Sequence, residues 1–236
     1  GHPALRGVDL RVERGERGAV LGPNGAGKTT FALHLNATLG GGAGTIDIDG
    51  LRMEGQGVRR DDLREIRRRV GSVFQDPDDQ LFMPTVRSDV AFRPANLGHD
   101  GPELDAIVER ALEAVGMAGS ADRAPHHLSF GERRRVAAAT VLSMDPSILV
   151  LDEPSSNLDP RARREFAEIV ARLGITTLMV THDLPYALEL CPRSVVLCQG
   201  VIVADGPTAE LLADAHLMAE CRLELPYGFA PVAAPA

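Results

Sequence analysis

The sequence predicts an α/β fold built on a mostly parallel core sheet with helices, and three observations carry that prediction. The run Ile148-Leu149-Val150-Leu151 is apolar without alternation, as in a strand covered on both faces. A helix pattern over 161–173 and a strand pattern over 176–181 follow it. That alternation builds parallel neighbours and places ligands at the carboxyl ends of strands. Finally, Ala19-Val20-Leu21 runs through a glycine-rich stretch into the amphipathic segment Phe31 to Leu39, which reads as strand, loop and helix in succession.

In chain order, residues 5–12 alternate apolar and polar, with Val8, Leu10 and Val12 in step, and predict an antiparallel strand that turns at Gly15-Glu16. After the first helix a glycine cluster over 40–44 leads to a short strand, Thr45 to Gly50, and then to a charged helix carrying Leu63, Ile66 and Val70. The strand Gly71-Ser72-Val73-Phe74 ends on Gln75. From 76 to 145 the pattern is helical, with Leu104, Ile107, Val108, Ala111, Leu112 and Val115 at helical spacing and no strand signal. This segment reads as a helical subdomain inserted into one domain whose core is 1–75 plus 146–225. Runs 194–198 and 201–205 flank Gln199-Gly200 as a hairpin, giving an antiparallel β part, and 226–236 read as a loose tail.

The 236 residues carry a formal net charge of −8, which disfavours nucleic acid on bulk electrostatics. The densest basic stretch, Arg59 to Arg69, is interleaved with Asp61, Asp62 and Glu65 and reads as a solvated helix face. Cys191, Cys198 and Cys221 lack metal-binding or C-x-x-C spacing and read as buried reduced thiols. No apolar run approaches the ~18 residues of a membrane span, so membrane association would go through a partner.

The chemistry begins at Gly22-Pro23-Asn24-Gly25-Ala26-Gly27-Lys28-Thr29-Thr30. Glycines let the backbone wrap an anion at a helix start whose dipole favours negative charge. Lys28 would reach the outer phosphates of a nucleotide, and the Thr29 hydroxyl would hold Mg²⁺. At the end of the buried strand, Asp152 and Glu153 would be costly side by side without a cation. Beside a phosphate loop, Asp152 can hold the metal while Glu153 faces an attacking water. Ser129 and Glu132 have capping-box spacing, which makes the helix start at Leu128-Ser129-Phe130-Gly131-Glu132 a second anion site. Adjacent His126 and His127 cannot easily point at one ion, and His34 reads as a packing or surface residue.

These motifs, with Gln75 after an apolar strand, Ser156-Asn157-Leu158-Asp159 and Thr181-His182-Asp183, stand in the order and spacing of the ATP-binding-cassette (ABC) ATPases, which the chain resembles from residue 4 to about 225. Within that family, Phe74-Gln75-Asp76-Pro77-Asp78-Asp79-Gln80-Leu81-Phe82 and the aromatic Phe130 resemble the ATPases of cobalt/nickel importers and of energy-coupling-factor vitamin importers. The resemblance implies a P-loop NTPase fold of the ABC type and ATP hydrolysis with Mg²⁺. Glu153, His182 and Gln75 would be catalytic. Gly22 through Thr30, Ser129, Phe130, Gly131, Glu132 and Asp159 would bind nucleotide, and Thr29, Gln75 and Asp152 would be at the metal. It further implies ATP clasped between two ATPase subunits, identical or different, and a separate transmembrane subunit docked through Gln75 to Phe82. Such a chain would lie peripherally on the cytoplasmic face of the membrane and bind no nucleic acid. An ABC ATPase of repair or chromosome type is the alternative, although the heptads or cysteines of such proteins are missing from the sequence. A P-loop kinase or GTPase has no use for the second anion site.

Family members usually start with a further strand and an aromatic residue that stacks on adenine. Here only Gly1, His2 and Pro3 precede the first pattern. His2 is a poor substitute for that aromatic, so either the sequence starts partway into a domain or adenine is held only through its phosphates. As given, the sheet would show an unpaired edge and ATP would bind about ten to a hundredfold more weakly.

Overall fold

The computed structural model describes residues 3–40, 43–54 and 60–231. Its strands are β1 (Arg17–Leu21), β2 (Thr45–Ile48), β3 (Leu51–Glu54), β4 (Val70–Val73), β5 (Ile148–Asp152), β6 (Thr176–Thr181), β7 (Arg193–Cys198) and β8 (Val201–Pro207). Six of them form one sheet in the order β4-β5-β6-β1-β7-β8. Every neighbouring pair in it is parallel except β7 and β8, which form the expected antiparallel hairpin. The helices are α1 (Lys28–Leu35), α2 (Arg60–Arg69), α3 (Val86–Asn96), α4 (Gly101–Ala114), α5 (Phe130–Leu142), α6 (Pro160–Arg172), α7 (Leu184–Leu190), α8 (Thr208–Ala213) and α9 (Ala215–Glu220).

The continuous apolar runs are explained by two cores, one on each face of the sheet. Successive strand residues point to opposite faces. Thus Leu149 and Leu151 of β5 join one core, with Val136, Phe166 and Tyr186 of the helices, while Val150 joins the other, with Phe31, Met53 and Ile66. Each such side chain, once fully buried, contributes roughly 1.5–3 kcal/mol. A polar residue on either face of β5 would therefore be destabilising.

The region from 76 to 145 is helical, as its periodicity predicts, and carries α3, α4 and α5. Two of these helices have reciprocal N-terminal caps, Thr85 with Ser88 and Ser129 with Glu132.

Several expectations need correction. Residues 5–12 form no strand, since Leu5, Val8, Leu10 and Val12 rest half-buried against the second core without joining a ladder. Their alternation reflects one-sided packing rather than pairing. The first helix begins at Lys28 rather than Phe31 and ends at Leu35. The short strand closed by a turn over 45–50 is present as Thr45–Ile48 with the turn at Asp49-Gly50, where both residues have positive φ, but its partner β3 is not expected from the sequence. Helices α7 to α9 are too short to show periodicity and escape the sequence pattern. In the stretch read as a tail, the Phe229 N–H donates to the Pro226 carbonyl at 3.0 Å and Phe229 lines a surface hollow with Pro160, Arg163 and Leu188. Residues 232–236 and His2 lie outside the described residues.

Candidate active site

The strand register gathers the site. Leu21 lies opposite Thr181 and Asp152 opposite Val180, so β1, β6 and β5 end in one row. The phosphate loop, the carboxylate pair and His182 leave the sheet side by side. Gln75 lies two residues past the end of β4, next to β5.

Glycine shapes the loop at two positions for different reasons. At Gly22 a Cβ would meet the Leu197 carbonyl oxygen at 2.3 Å, so the loop packs on β7 more closely than any side chain permits. Gly27 has φ 106° and caps α1 with no side-chain hydrogen bond. The first N–H groups of α1 therefore keep no internal partner and form a positive helix end. The Ala26 carbonyl accepts from the Gly200 N–H at 3.1 Å, and the Gly200 carbonyl accepts from Arg6 N–H at 2.7 Å, so the hairpin tip braces the loop.

Lys28 is buried, and its Nζ donates to the carbonyls of Gly22 at 2.8 Å and Pro23 at 3.2 Å, 3.8 Å from Glu153 Oε1. Burial lowers its pKa, and Glu153 and then Asp152 oppose that shift. Asp152 shows the complementary behaviour. Burial first, and then Glu153, raises its pKa, while the Thr29 hydroxyl pulls the other way. Its Oδ1 is buried without a hydrogen-bond partner among the described residues, which suits an acceptor waiting for a hard cation.

Glu153 is 7% exposed and sits at φ 46°. Thr181 Oγ1 donates to its Oε2 at 2.9 Å, the His182 N–H donates to the same oxygen at 3.3 Å, and His182 Nδ1 lies 2.9 Å from Oε1. These contacts leave the carboxylate one defined orientation, with the exposed imidazole on its solvent side. Gln75 is exposed. Its loop is pinned by Gln80, whose Oε1 accepts from the Phe74 N–H at 2.7 Å and whose Nε2 donates to the Ser72 carbonyl at 3.3 Å.

The second helix start lies at the head of α5. Ser129 is exposed, its Oγ accepts from the Glu132 N–H at 3.3 Å, and its own N–H donates to Glu132 Oε2 at 2.7 Å. That backbone bond is the main reason the Glu132 carboxyl is held below the usual range. Among the described residues no hydrogen bond or ion pair joins 128–133 to the loop 22–30. Gly131 has a role that sequence reasoning misses, since a Cβ there would meet Ala162 Cβ at 2.8 Å where α5 packs on α6. Asp159 caps α6, accepting from the N–H groups of Arg161 and Ala162 at 2.9 Å each. The His126 and His127 rings pack edge to face, 4.2 Å apart, and His34 Nδ1 lies 2.7 Å from the Thr30 carbonyl. Arg134 also organises the site and carries no motif signal of its own, while Thr181 and Gln80 fall within the sequence motifs, which assign them no role.

A glycine loop with an open helix start, a buried lysine and a carboxylate pair on adjacent parallel strands define a nucleoside-triphosphate hydrolase. The chain belongs to the ABC transporter family, whose model matches residues 5–156. Its members are ATPases that couple hydrolysis to transport.

A Streptomyces avermitilis protein bearing the family name is 68% identical over 231 residues, covering 98% of this chain and 86% of the relative. The energy-coupling factor transporter ATP-binding protein EcfA of Methanothermobacter thermautotrophicus is 49% identical over 229 residues, covering 96% of this chain and 73% of the relative. Among solved structures, cbiO1 of Clostridium perfringens, part of the ABC transporter complex cbiONQ, superposes with TM-score 0.81 at 35% identity, covering 94% of this chain and 89% of that one. The cassette MJ0796, solved as a post-hydrolysis dimer with ADP and Pi, gives TM-score 0.75 at 27% identity, covering 87% and 90%. Among the described residues no helix is long and apolar enough to cross a membrane.

Proposed function

We propose that this chain dimerises on ATP and powers import of a metal ion such as cobalt or nickel, or of a vitamin, through a separate membrane subunit. The observation that carries the reading is that, within one chain and among the described residues, no hydrogen bond or ion pair joins the helix start at Ser129 to the Lys28 loop. The loop at α1 is joined to Asp152, Glu153 and His182 by the strand ends, whereas Ser129 at α5 has no partner there. A second copy, or a different ATPase subunit, placed head to tail would supply the Ser129 and Gly131 N–H groups to the nucleotide on the Lys28 loop. The similarity to EcfA and to cbiO1 supports the importer assignment.

In this reading Gly22 to Thr30 cradle the phosphates and Lys28 exchanges its bonds to the Gly22 and Pro23 carbonyls for phosphate oxygens. Glu153 accepts the proton of the attacking water, with His182 and Thr181 fixing its direction. The residues present fit Mg²⁺: Asp152, Thr29 and Gln75 would hold it, and it would offset phosphate charge. Phe130, Glu132 and Asp159 line the subunit contact. The segment Gln75 to Phe82 would contact the membrane partner, which would hold the chain peripherally on the cytoplasmic face of the membrane.

Two substitutions test this. Glu153→Gln should retain ATP binding and accumulate an ATP-dependent dimer on size exclusion. Adding Ser129→Arg should abolish that dimer while monomer affinity for ATP stays within about threefold. Affinity that falls with Ser129→Arg would overturn the two-subunit site. A chain that purifies without any membrane protein and binds DNA at physiological salt would instead fit an ABC ATPase of repair type.

A further inference from the structure

We infer that Arg134 is a positioning residue for hydrolysis, a single guanidinium that fixes the peptide of Glu153 and the glutamine loop and links both to the helix that begins at Ser129. The inference rests on the reading of Glu153 as the proton acceptor.

Arg134 heads the largest side chains that are fully buried, at 0% exposure. A buried cation ordinarily sits against a carboxylate. Here the hydrogen-bond acceptors are three main-chain carbonyls. Nη1 donates to Glu153 O at 3.3 Å, and Nη2 donates to Gln75 O and, at 3.3 Å, to Ser156 O. The Phe130 ring lies against the group, with its centroid 5.4 Å from Cζ. Burial lowers the pKa; Tyr186, then Asp76 and Asp152, oppose that shift, and none of the three is a hydrogen-bond partner of the guanidinium. A cation left so incompletely compensated is a poor device for stability alone.

Its three acceptors belong to segments with distinct tasks: the residue that would touch the water and metal, the proposed base, and the turn leading to Asp159. Glu153 is the residue with most to gain. Its φ of 46° is a left-handed conformation that a non-glycine residue holds only when its surroundings over-determine it. The N–H is fixed to Val180 O at 2.8 Å and the carbonyl to Arg134. The peptides on both sides of the Cα are thus held, and they aim the side chain that Thr181 and His182 then steady. Without the guanidinium the peptide can relax, and the carboxylate swings with it. Misplacement of a reacting group by about 1 Å can cost on the order of a hundredfold in rate. Arg134 also sits five residues after Ser129, just over one helical turn along α5. A shift of that helix start on engaging the partner's nucleotide therefore reaches Glu153 through one side chain.

The test is steady-state hydrolysis by the purified full chain carrying Arg134→Met, Arg134→Lys, Glu153→Gln, and Arg134→Met with Glu153→Gln. Arg134→Met should lower kcat roughly thirty- to a hundredfold with KM for ATP within about threefold. Lysine supplies charge and donors without the planar fork, so Arg134→Lys should recover to within about tenfold of the parent. Because the residue acts through Glu153, adding Arg134→Met to Glu153→Gln should change the residual rate by less than about threefold. A folded Arg134→Met with unchanged kcat, or one that changes KM alone, overturns the proposal. So does a full additional loss in the double variant. If Arg134→Met does not fold, Arg134→Lys decides: reduced kcat at constant KM supports the role, and parental turnover overturns it. Parental turnover in Glu153→Gln would remove the premise itself and is read independently of any Arg134 variant.

Discussion

The starts of α1 and α5, the two helix ends proposed to bind nucleotide phosphates, are built in opposite ways. The first has a glycine cap, no acidic residue in its first turn, and a buried lysine beside it. The second is exposed and spends its own serine and glutamate on each other. One end is held open by the strands behind it, and the other is closed by its own side chains until something competes. Completeness of a site thus depends less on the motif than on whether the surrounding fold has already satisfied the same donors.

The contrast can be broken most severely at the first helix. Lys28→Ala should abolish measurable turnover, a loss on the order of a hundredfold or more, and weaken nucleotide binding, read by fluorescent-nucleotide titration. Next, Thr181→Val removes the hydroxyl donor to Glu153 Oε2. It should lower kcat roughly tenfold without moving KM, in steady-state assays.

At the start of the second helix the next two effects are on stability. Gly131→Ala places a methyl 2.8 Å from Ala162 Cβ and should cost about 1–3 kcal/mol in denaturant unfolding. Ser129→Ala should cost about 1 kcal/mol through the lost cap, with monomer nucleotide affinity unchanged. An equal loss of affinity in Ser129→Ala would show that the two helix starts are not independent.

The smallest effect belongs to neither helix start. Hydrogen bonds from Arg68 and then Arg69 hold the Glu65 carboxyl down to about 2, from an ordinary 4.5. A depressed carboxyl stabilises the fold above its unfolded pKa, so this contribution is present above about 4.5 and is lost as pH falls from there through 2. Glu65→Gln should flatten that part of the acid melting profile by no more than an exposed pair provides, about 0–1 kcal/mol.

Much of the architecture is legible because it rests on strong local signals. The apolar run of β5 and the glycine loop announce a parallel sheet, and the helical spacing between Leu104 and Val115 marks the inserted helices. The missed features depend on tertiary surroundings. Within Arg133-Arg134-Arg135 nothing in the charge pattern separates the fully buried middle arginine from its half-exposed neighbours. Gly131 reads as a phosphate-binding glycine, and the further demand that Ala162 on another helix places on it leaves no trace in the sequence. Residues 5–12 alternate like a strand because one side of them covers a core, and periodicity cannot distinguish that from a ladder. Gln80, five residues from Gln75, is buried as a loop pin, and a loop segment carries no periodic trace of such a task.

The hairpin tip at Gly200, bonded at once to Ala26 and to Arg6, gives the opening stretch of the chain leverage over the cradle. Nucleotide entering a cradle braced in this way meets a backbone already in place, so little ordering entropy is spent on arrival. Trimming Pro3 to Arg6 would then slow capture and raise amide exchange at Gly200 and through the loop, although none of the trimmed side chains is expected to touch a phosphate.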